Sequence, residues 1–590
     1  MRKPIPASGT TRSARLIALV GATLMALVAA VLMADVAAQD SVGVFDWFRI
    51  VLIFATTAWL GWGVMLALTG LAPWRARSVP ALQGAQPPAV VLVPICNEDP
   101  VLTFARVAAI DHSIAAAGVS LDIAILSDTR DPEANARERE AFERLRREVS
   151  GQGRVFYRVR EDGRGRKAGN VEDFIRRSGG AYEYAVILDA DSLMSGAAIR
   201  DMIARMEADP DLGLLQTLPR IVGARSFFGR MMQFSAAFHG PVFTRGLARM
   251  QGATGPFWGH NAIVRVRAFA ESCGLPALAG KPPFGGHILS HDYVEAALLA
   301  RAGWRVEVDP AIAGSYEEGP ENVLSHARRD RRWCQGNLQH IRLLLAPGLA
   351  GWSRFVFLQG IVAYLVSLLW AGFLLSSLAA AALAPPPDYF PEPYQLFPVF
   401  PSDLTQEILA LVLGIVGLLI LPKFAVWAEA VLTGRAEAYG GPIRALASVV
   451  TEIALTSLLA PVLLAYQTRA VLQVLSGQDG GWPANARGEG ILHLGQTLRA
   501  CLWVVVWGAL AYVAVLQIAP EQAPWLLPVC LPMMLAPVLV AWTSRPLTHA
   551  VFSVPEETEV PAVVTEFRDI AARWLTPASP QEAPMGKEAA

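Results

Sequence analysis

Two apolar runs at the head of the chain, about 16–34 and about 47–71, set the first limit on how it can fold. Each is long enough to cross the hydrocarbon core of a bilayer, and only a short acidic loop parts them. Arg12 and Arg15 precede the first run as they would a cleaved leader. That run is long for a leader, however, and a second follows at once, so a retained membrane hairpin is expected. Further spans are expected near 354–383, 407–425, 499–518 and 525–543. The composition fits this pattern. At 53% hydrophobic, 17% charged and a mean hydropathy of +0.37, the chain is too apolar for a soluble protein and too charged to lie wholly in lipid. A net charge of −1 gives no footing for nucleic acid. The five cysteines show no CxxC spacing and are expected to be free thiols.

Loop charges give the orientation. The loops at about 35–46, 385–405 and 519–524 contain no Lys or Arg, whereas Arg2, Lys3, Arg12, Arg15, Arg75, Arg77 and Arg545 flank the other span ends. Both termini and the stretch 73–350 are therefore expected in the cytoplasm. Residues 1–15 and the tail 546–590 are expected to be mobile. One apolar run, 446–475, has arginines on both sides and is interrupted by Glu452 and Pro461. It is expected to be a re-entrant or interfacial element within the C-terminal region 354–543.

Between about 87 and 345 the pattern changes. Candidate strands 89–95, 121–127, 154–159, 184–189 and 213–217 alternate with amphipathic stretches that include 101–117, 134–149 and 197–207. This predicts an α/β domain with a mostly parallel sheet, whose ligands bind at the carboxyl ends of the strands. The run "EANARERE" (133–140) reads as a solvated helix face.

Four polar clusters fall at those ends. "VPICNED" (93–99), "LSDT" (126–129) and "LDADS" (188–192) follow strands, and "GRGRKAGN" (163–170) opens a helix, as an anion-binding segment would. A lone DxD is usually a solvated turn. Taken jointly, the clusters set carboxylates, a Lys and Asn side chains on one sheet edge, which suits a nucleoside diphosphate held with a divalent metal. Asp189 and Asp191 repel each other and call for positive charge. Mg2+ (or Mn2+) prefers hard oxygens and often takes only one or two carboxylates plus phosphates. Asp191 is expected to ligate it directly, and Asp189 to ligate or orient it. No His or Cys stands beside them at zinc spacing.

Two later clusters complete a reaction. In "ILSHDYVEAALLARAGW" (288–304) Ser290 is placed to cap a helix and Asp292 lies in its first turn. The positive helix end would keep Asp292 ionised, as a base must be. An ordinary capping acid would look the same. "RRDRRWCQGN" (328–337) sets four arginines beside Trp333 and Gln335. That is either a basic interfacial helix or an aromatic platform for a sugar, with arginines facing a diphosphate.

These strings, in this order, resemble the family 2 glycosyltransferases of the processive membrane type, the group of cellulose and hyaluronan synthases. That group's pattern is an Asp, a DxD, an (E/D)D base and QxxRW. Here it falls on Asp128, Asp189/Asp191, Asp292 and "RDRRW" (329–333), with Arg329 where the motif has Gln. With "FWGHNAIVR" (257–265) and "RDRRWCQGNLQH" (329–340), this departure looks like one branch, the glucans biosynthesis glucosyltransferase H family. The likeness covers about 90–345 and the arrangement of the flanking spans.

The resemblance implies a multi-span α-helical membrane protein with a cytoplasmic α/β glycosyltransferase domain of GT-A type at 87–345. It implies transfer of glucose from UDP-glucose into the β-1,2 backbone of osmoregulated periplasmic glucans, with passage of the growing glucan chain across the bacterial inner membrane. By the motif match, Asn97, Glu98 and Asp128 would hold the uridine, Lys167 and Asn170 the nucleotide, and Asp189 and Asp191 the diphosphate and metal. Asp292 would be the base, with Arg332, Trp333 and Gln335 around the diphosphate and acceptor and "GHN" (His260, Asn261) near the acceptor sugar. The family allows for an acyl carrier protein and a periplasmic glucan-processing protein as partners.

The chemistry is coherent without the name. A nucleoside diphosphate leaves without a general acid, and one base with no nucleophile predicts inversion. A double displacement would need a second carboxylate about 5 Å from the first. Polar product needs a protein-lined path, to which Tyr364, Trp370 and Trp427 are candidates, although packing or interfacial anchoring would look the same. The resemblance implies that 446–475 and "GGWPANARGEG" (480–490) sit where related synthases carry a cytoplasmic gating segment, which is expected to close over the donor. The alternatives are another processive β-glycan synthase, a transferase onto a lipid carrier, and a transporter or sensor that keeps a dead transferase domain.

Overall fold

The computed structural model describes residues 2–37, 43–74, 78, 85–150, 154–383, 389–390, 394–398, 405–480, 490–548 and 551–576. Of the segment 480–490, all but the two end residues lie outside the described residues, as do Arg75, Arg77 and Arg487. The chain opens with two long helices packed on each other, α1 (Gly9–Ala37) and α2 (Val44–Leu71). The soluble domain begins with β1 (Ala89–Ile95), α3 (Pro100–Ala116), β2 (Asp122–Ser127), α4 (Pro132–Glu148), β3 (Val155–Val159) and α5 (Arg166–Ser178). It continues through β4 (Tyr184–Ile187), β5 (Leu193–Met194), α6 (Gly196–Ala208), β6 (Leu212–Thr217) and β7 (Arg220–Ile221). Then come α7 (Phe227–Phe238), α8 (Gly240–Gln251), β8 (Ala262–Arg265), α9 (Val266–Ser272), α10 (His291–Arg301), β9 (Arg305–Asp309), β10 (Ser315–Glu317) and α11 (Val323–Gln339).

Seven strands form one sheet in the order β3-β2-β1-β4-β8-β6-β9. Every residue of β1, "AVVLVPI", is buried, so this strand is stable only mid-sheet with helices on both faces. One face carries α3 and α6, the other α5, α9 and α10. The Asp99 side chain starts α3 by accepting from the Val101 and Leu102 amides at 2.8 and 3.2 Å, with Pro100 in the first turn. The five expected strands all form, within two residues of their expected ends. Two more, β8 and β9, were not foreseen, and β8 runs antiparallel to both β4 and β6. β5, β10 and β7 make a second, three-stranded sheet with β10 in the middle.

The C-terminal region holds α12 (Gly351–Leu383), α13 (Thr405–Leu432), α14 (Pro442–Leu475), α15 (Leu494–Ile518), α16 (Ala523–Met534) and α17 (Ala536–Thr543). Among the described residues six helices are long and apolar enough to cross a membrane: α1, α2, α12, α13, α14 and α15. The expected span 525–543 is a pair, residues 520–534 and α17, bent by 58°. Over 446–475 there is no re-entrant turn: α14 is one unbroken 34-residue helix through Pro461. It touches the soluble domain at two places, within its first half and near its C-terminal end. Glu452 accepts from Ser235 and His239 at 2.7 and 2.9 Å and from Lys423 of α13 at 2.8 Å, while Gln473 accepts from Arg331 of α11 at 3.2 Å.

Both described termini are docked, contrary to the expectation of mobility. Arg2 lies 3.6 Å over the Trp304 ring and pairs with Asp211. After α18 (Pro555–Thr558), α19 (Ala562–Leu575) lays Val563, Val564, Ile570, Ala571 and Trp574 into the main core beside α3. Within the described residues, α19 is docked because it carries an apolar stripe that has somewhere to go.

The soluble domain meets α2 backbone to backbone. A Cβ on Gly70 would stand 1.9 Å from the Val242 carbonyl, and one on Gly246 would stand 2.0 Å from that of Leu66. A Gly246→Val variant is expected to wedge α8 off α2 and cost about 1–3 kcal/mol. A lowered unfolding temperature in detergent would show it; an unchanged one would mean that this contact does not carry the docking.

Candidate active site

The carboxyl ends of β1, β2 and β4 and the start of α5 form one polar crevice. At the end of β2, Asp128 accepts a two-pronged contact from Arg160, at 2.9 and 2.7 Å, and a third hydrogen bond from Asn170 at 3.0 Å. Asn170 is buried and also donates to the Leu126 carbonyl, so its amide ties α5 to β2. Arg160 was not foreseen. It reaches back to the Arg164 and Arg166 carbonyls at 2.9 and 3.2 Å and shapes the glycine-rich loop from within.

After β1, Asn97 takes a positive φ of 62° and its amide donates to Thr129 at 2.8 Å; Glu98 folds back onto the Cys96 amide. Thr129 is held in turn by Glu138, which is buried and also accepts from Ser127 and Tyr157 at 2.6 and 2.7 Å. Glu138 thus departs from the solvated face expected of 133–140. A buried carboxylate needs donors, and three hydroxyls supply them.

The Asp189 repulsion is met by cations. Lys167 forms an ion pair with Asp189 and donates to the Gly259 carbonyl at 2.8 Å. His260 lies with Nδ1 3.8 Å from the same carboxylate, while its Nε2 contacts Glu317 at 2.8 Å. Burial alone would lower the His260 pKa, but Asp189 and then Glu317 outweigh it and raise the value to about 9. Sequence gave no spacing signal for Glu317, which arrives from β10. Asp189 and Asp191 present hard carboxylate oxygens at the lip of the sheet, a donor set that fits Mg2+ or Mn2+.

Asp292 comes to the same place from the other side of "GHN". A Cβ on Gly259 would lie 3.5 Å from that of Asp292, so one glycine separates Asp292 from Lys167 and the DxD. Ser290 does not cap α10 through its side chain, contrary to expectation. It faces α11 instead: its hydroxyl sits where a Cβ on Gly336 would go, at 2.3 Å, and its carbonyl accepts from His340 at 2.9 Å. The electrostatics of Asp292 also differ from expectation. Burial raises its pKa more than His291 and the helix-end amides lower it.

Asn261 is wholly buried and braces Ser315 and the Tyr316 carbonyl at 2.8 and 3.2 Å, which makes it a support for β10. On α11, Trp333 keeps 42% of its surface exposed, with the Arg329 guanidinium 4.4 Å over its ring. Arg332 precedes it. Gln335 is buried and turns away from this platform: it donates to Asp479 at 2.7 Å and accepts from Arg331 and the Gly480 amide. Trp427, a candidate for the path, donates to the Pro442 carbonyl at 3.0 Å as a packing residue.

Comparison with known proteins gives the family. Residues 90–272 match the family described as glycosyl transferase family 2, and 184–421 match glycosyl transferase family group 2. A glucans biosynthesis glucosyltransferase H from Cereibacter sphaeroides is 55% identical over 97% of both chains. Proteins of the same name from Bradyrhizobium diazoefficiens and Rhodopseudomonas palustris are 40% and 39% identical, over 97% and 91% of this chain and 78% and 76% of theirs. On this sequence likeness, with a mixed α/β sheet carrying the DxD at the end of β4, the chain belongs to the glucans biosynthesis glucosyltransferase H family.

Proposed function

We propose that this protein is an inverting, UDP-glucose-dependent glucosyltransferase of the bacterial inner membrane. It builds the β-1,2 backbone of periplasmic glucans and passes the product across the bilayer. One observation supports this most directly. Lys167, Asp189 and Asp292, far apart in the chain, meet around Gly259, with the nucleotide-side residues on one flank and the base on the other.

Asp128, Asn170 and the Asn97–Glu98 turn hold the uridine end of the donor. Lys167 and His260 face the diphosphate, with Arg332 approaching from α11. Asp189 and Asp191 would hold Mg2+ or Mn2+, which when bound offsets charge on the departing diphosphate. Trp333 offers a flat apolar face to the acceptor sugar, and "GHN" keeps it against Asp292. The Asp292 carboxylate takes the proton of the acceptor hydroxyl as that oxygen attacks the anomeric carbon opposite the leaving group. Burial makes this carboxylate a stronger base than one in water.

The topology follows the same reading. The loops without Lys or Arg face the periplasm, both termini and the soluble domain the cytoplasm. α14 lies along the cytoplasmic interface, since Glu452 and Gln473, far apart along it, both contact the soluble domain. An acyl carrier protein and a periplasmic glucan-processing protein remain partners suggested by the family.

The test is purified protein in nanodiscs given radiolabelled UDP-glucose with and without Mg2+. Water-soluble glucan with β-1,2 links is expected. β-1,4 links would keep the mechanism and sink the product assignment, and label extracted into organic solvent would point to a lipid carrier.

A further inference from the structure

We propose that the C-terminal strap, residues 551–576, is a positioning element for catalysis, because it grips all three strands of the small sheet on which the active-site carboxylates depend. The inference rests on the active-site reading above. β5 begins two residues after Asp191, and its partner β10 carries Glu317, which holds His260 against Asp189. This sheet is two or three residues deep and has little pairing of its own to hold it.

The strap supplies what the pairing lacks. It is anchored at Phe552, which is fully buried among Phe234 and Phe227 of α7 and whose amide donates to Ser448 of α14 at 3.1 Å. From there Glu556, itself buried, forms an ion pair with Arg220 of β7. The next helix, α19, packs on α3 and on β5. Its Phe567 ring lies 4.6 Å from the guanidinium of Arg106, a buried cation whose ion-pair partner is Glu318, the residue after β10. One short segment thus reaches β7 through a carboxylate, β5 by packing and β10 through Arg106. It also joins that sheet to the membrane-side core.

Loss of one partner leaves a buried charge unmatched and loosens the strand that bears it. Reacting groups displaced by a fraction of an ångström lose rate before they lose ligand. Arg220→Glu and Glu556→Arg, singly and combined, and Phe567→Ala should be made in the full-length protein. Each single change is expected to lower kcat about tenfold or more while KM for UDP-glucose and UDP affinity stay within about twofold, with the double reversal regaining most of the rate. Hydrogen exchange should quicken at 189–195 and 315–318 in the single variants and recover in the double, a readout that needs no turnover. Wild-type exchange in those peptides in every variant, or a kcat loss matched by an equal loss of UDP binding and unmended by the double reversal, overturns the proposal. A wild-type protein that turns over no UDP-glucose would instead count against the donor assignment, leaving the exchange data to decide on the strap.

Discussion

Asp292→Asn is expected to abolish nearly all glucan synthesis, with kcat down about 10³-fold and UDP affinity unchanged, since a general base contributes about 10²–10⁴-fold. Asparagine keeps the shape of the side chain and its place at the start of α10 but cannot take a proton. A pH profile gives the sharper check. The Asp292 pKa is raised, chiefly by burial and next by Glu295, against the lowering effect of His291. The active form is the ionised one, so the rate should fall as pH drops through that raised value. The acidic limb of kcat/KM therefore lies above the range of a carboxylate in water, and no such limb should survive in Asp292→Asn. Near-wild-type turnover in the variant would remove Asp292 from the mechanism.

Asp191→Asn is expected to cut turnover on the order of 10²-fold, because charge stabilisation on the leaving group is lost at the point where it develops. Uridine-end contacts through Asp128 and Asn170 are untouched, so UDP measured without metal should bind as before. A titration of Mg2+ or Mn2+ should show half-activation moved to higher concentration. If the variant made glucan at the wild-type rate over the same titration, the DxD would be no more than a polar turn.

Much of the soluble domain was legible in the sequence because its strands are short apolar runs buried on both faces, a pattern with few other readings; β1 is the clearest case. β9 escaped because Arg305, Glu307 and Asp309 alternate with its valines and look like surface, although Glu307 and Asp309 are buried and paired with Arg305 and Arg205. Candidate residues that belong to motifs could be named in advance, and the fold brings Asp128, Lys167, Asp189 and Asp292 towards one crevice. Arg160, Glu138 and Glu317 could not, because each acts by holding a motif residue from another element, and only the fold sets that distance. Gln335 sits inside a motif string, yet its amide is spent on Asp479 and Gly480. The tail misled because a polar, proline-containing stretch reads as a loop until its apolar residues are seen to have a surface waiting.

That surface has a bearing on how the protein is made. The core between the sheet and α3 is closed by Val563, Ile570 and Trp574, which follow the last apolar helix of the membrane region. Domains generally fold as units while the chain is still being synthesised. This one cannot finish until every later helix has been synthesised. A chain that stops short of α19 keeps the α3 flank of its transferase open, visible to chaperones and proteases. For the same reason, residues 87–345 cut out alone would expose that flank in solution and would need 551–576 supplied with them.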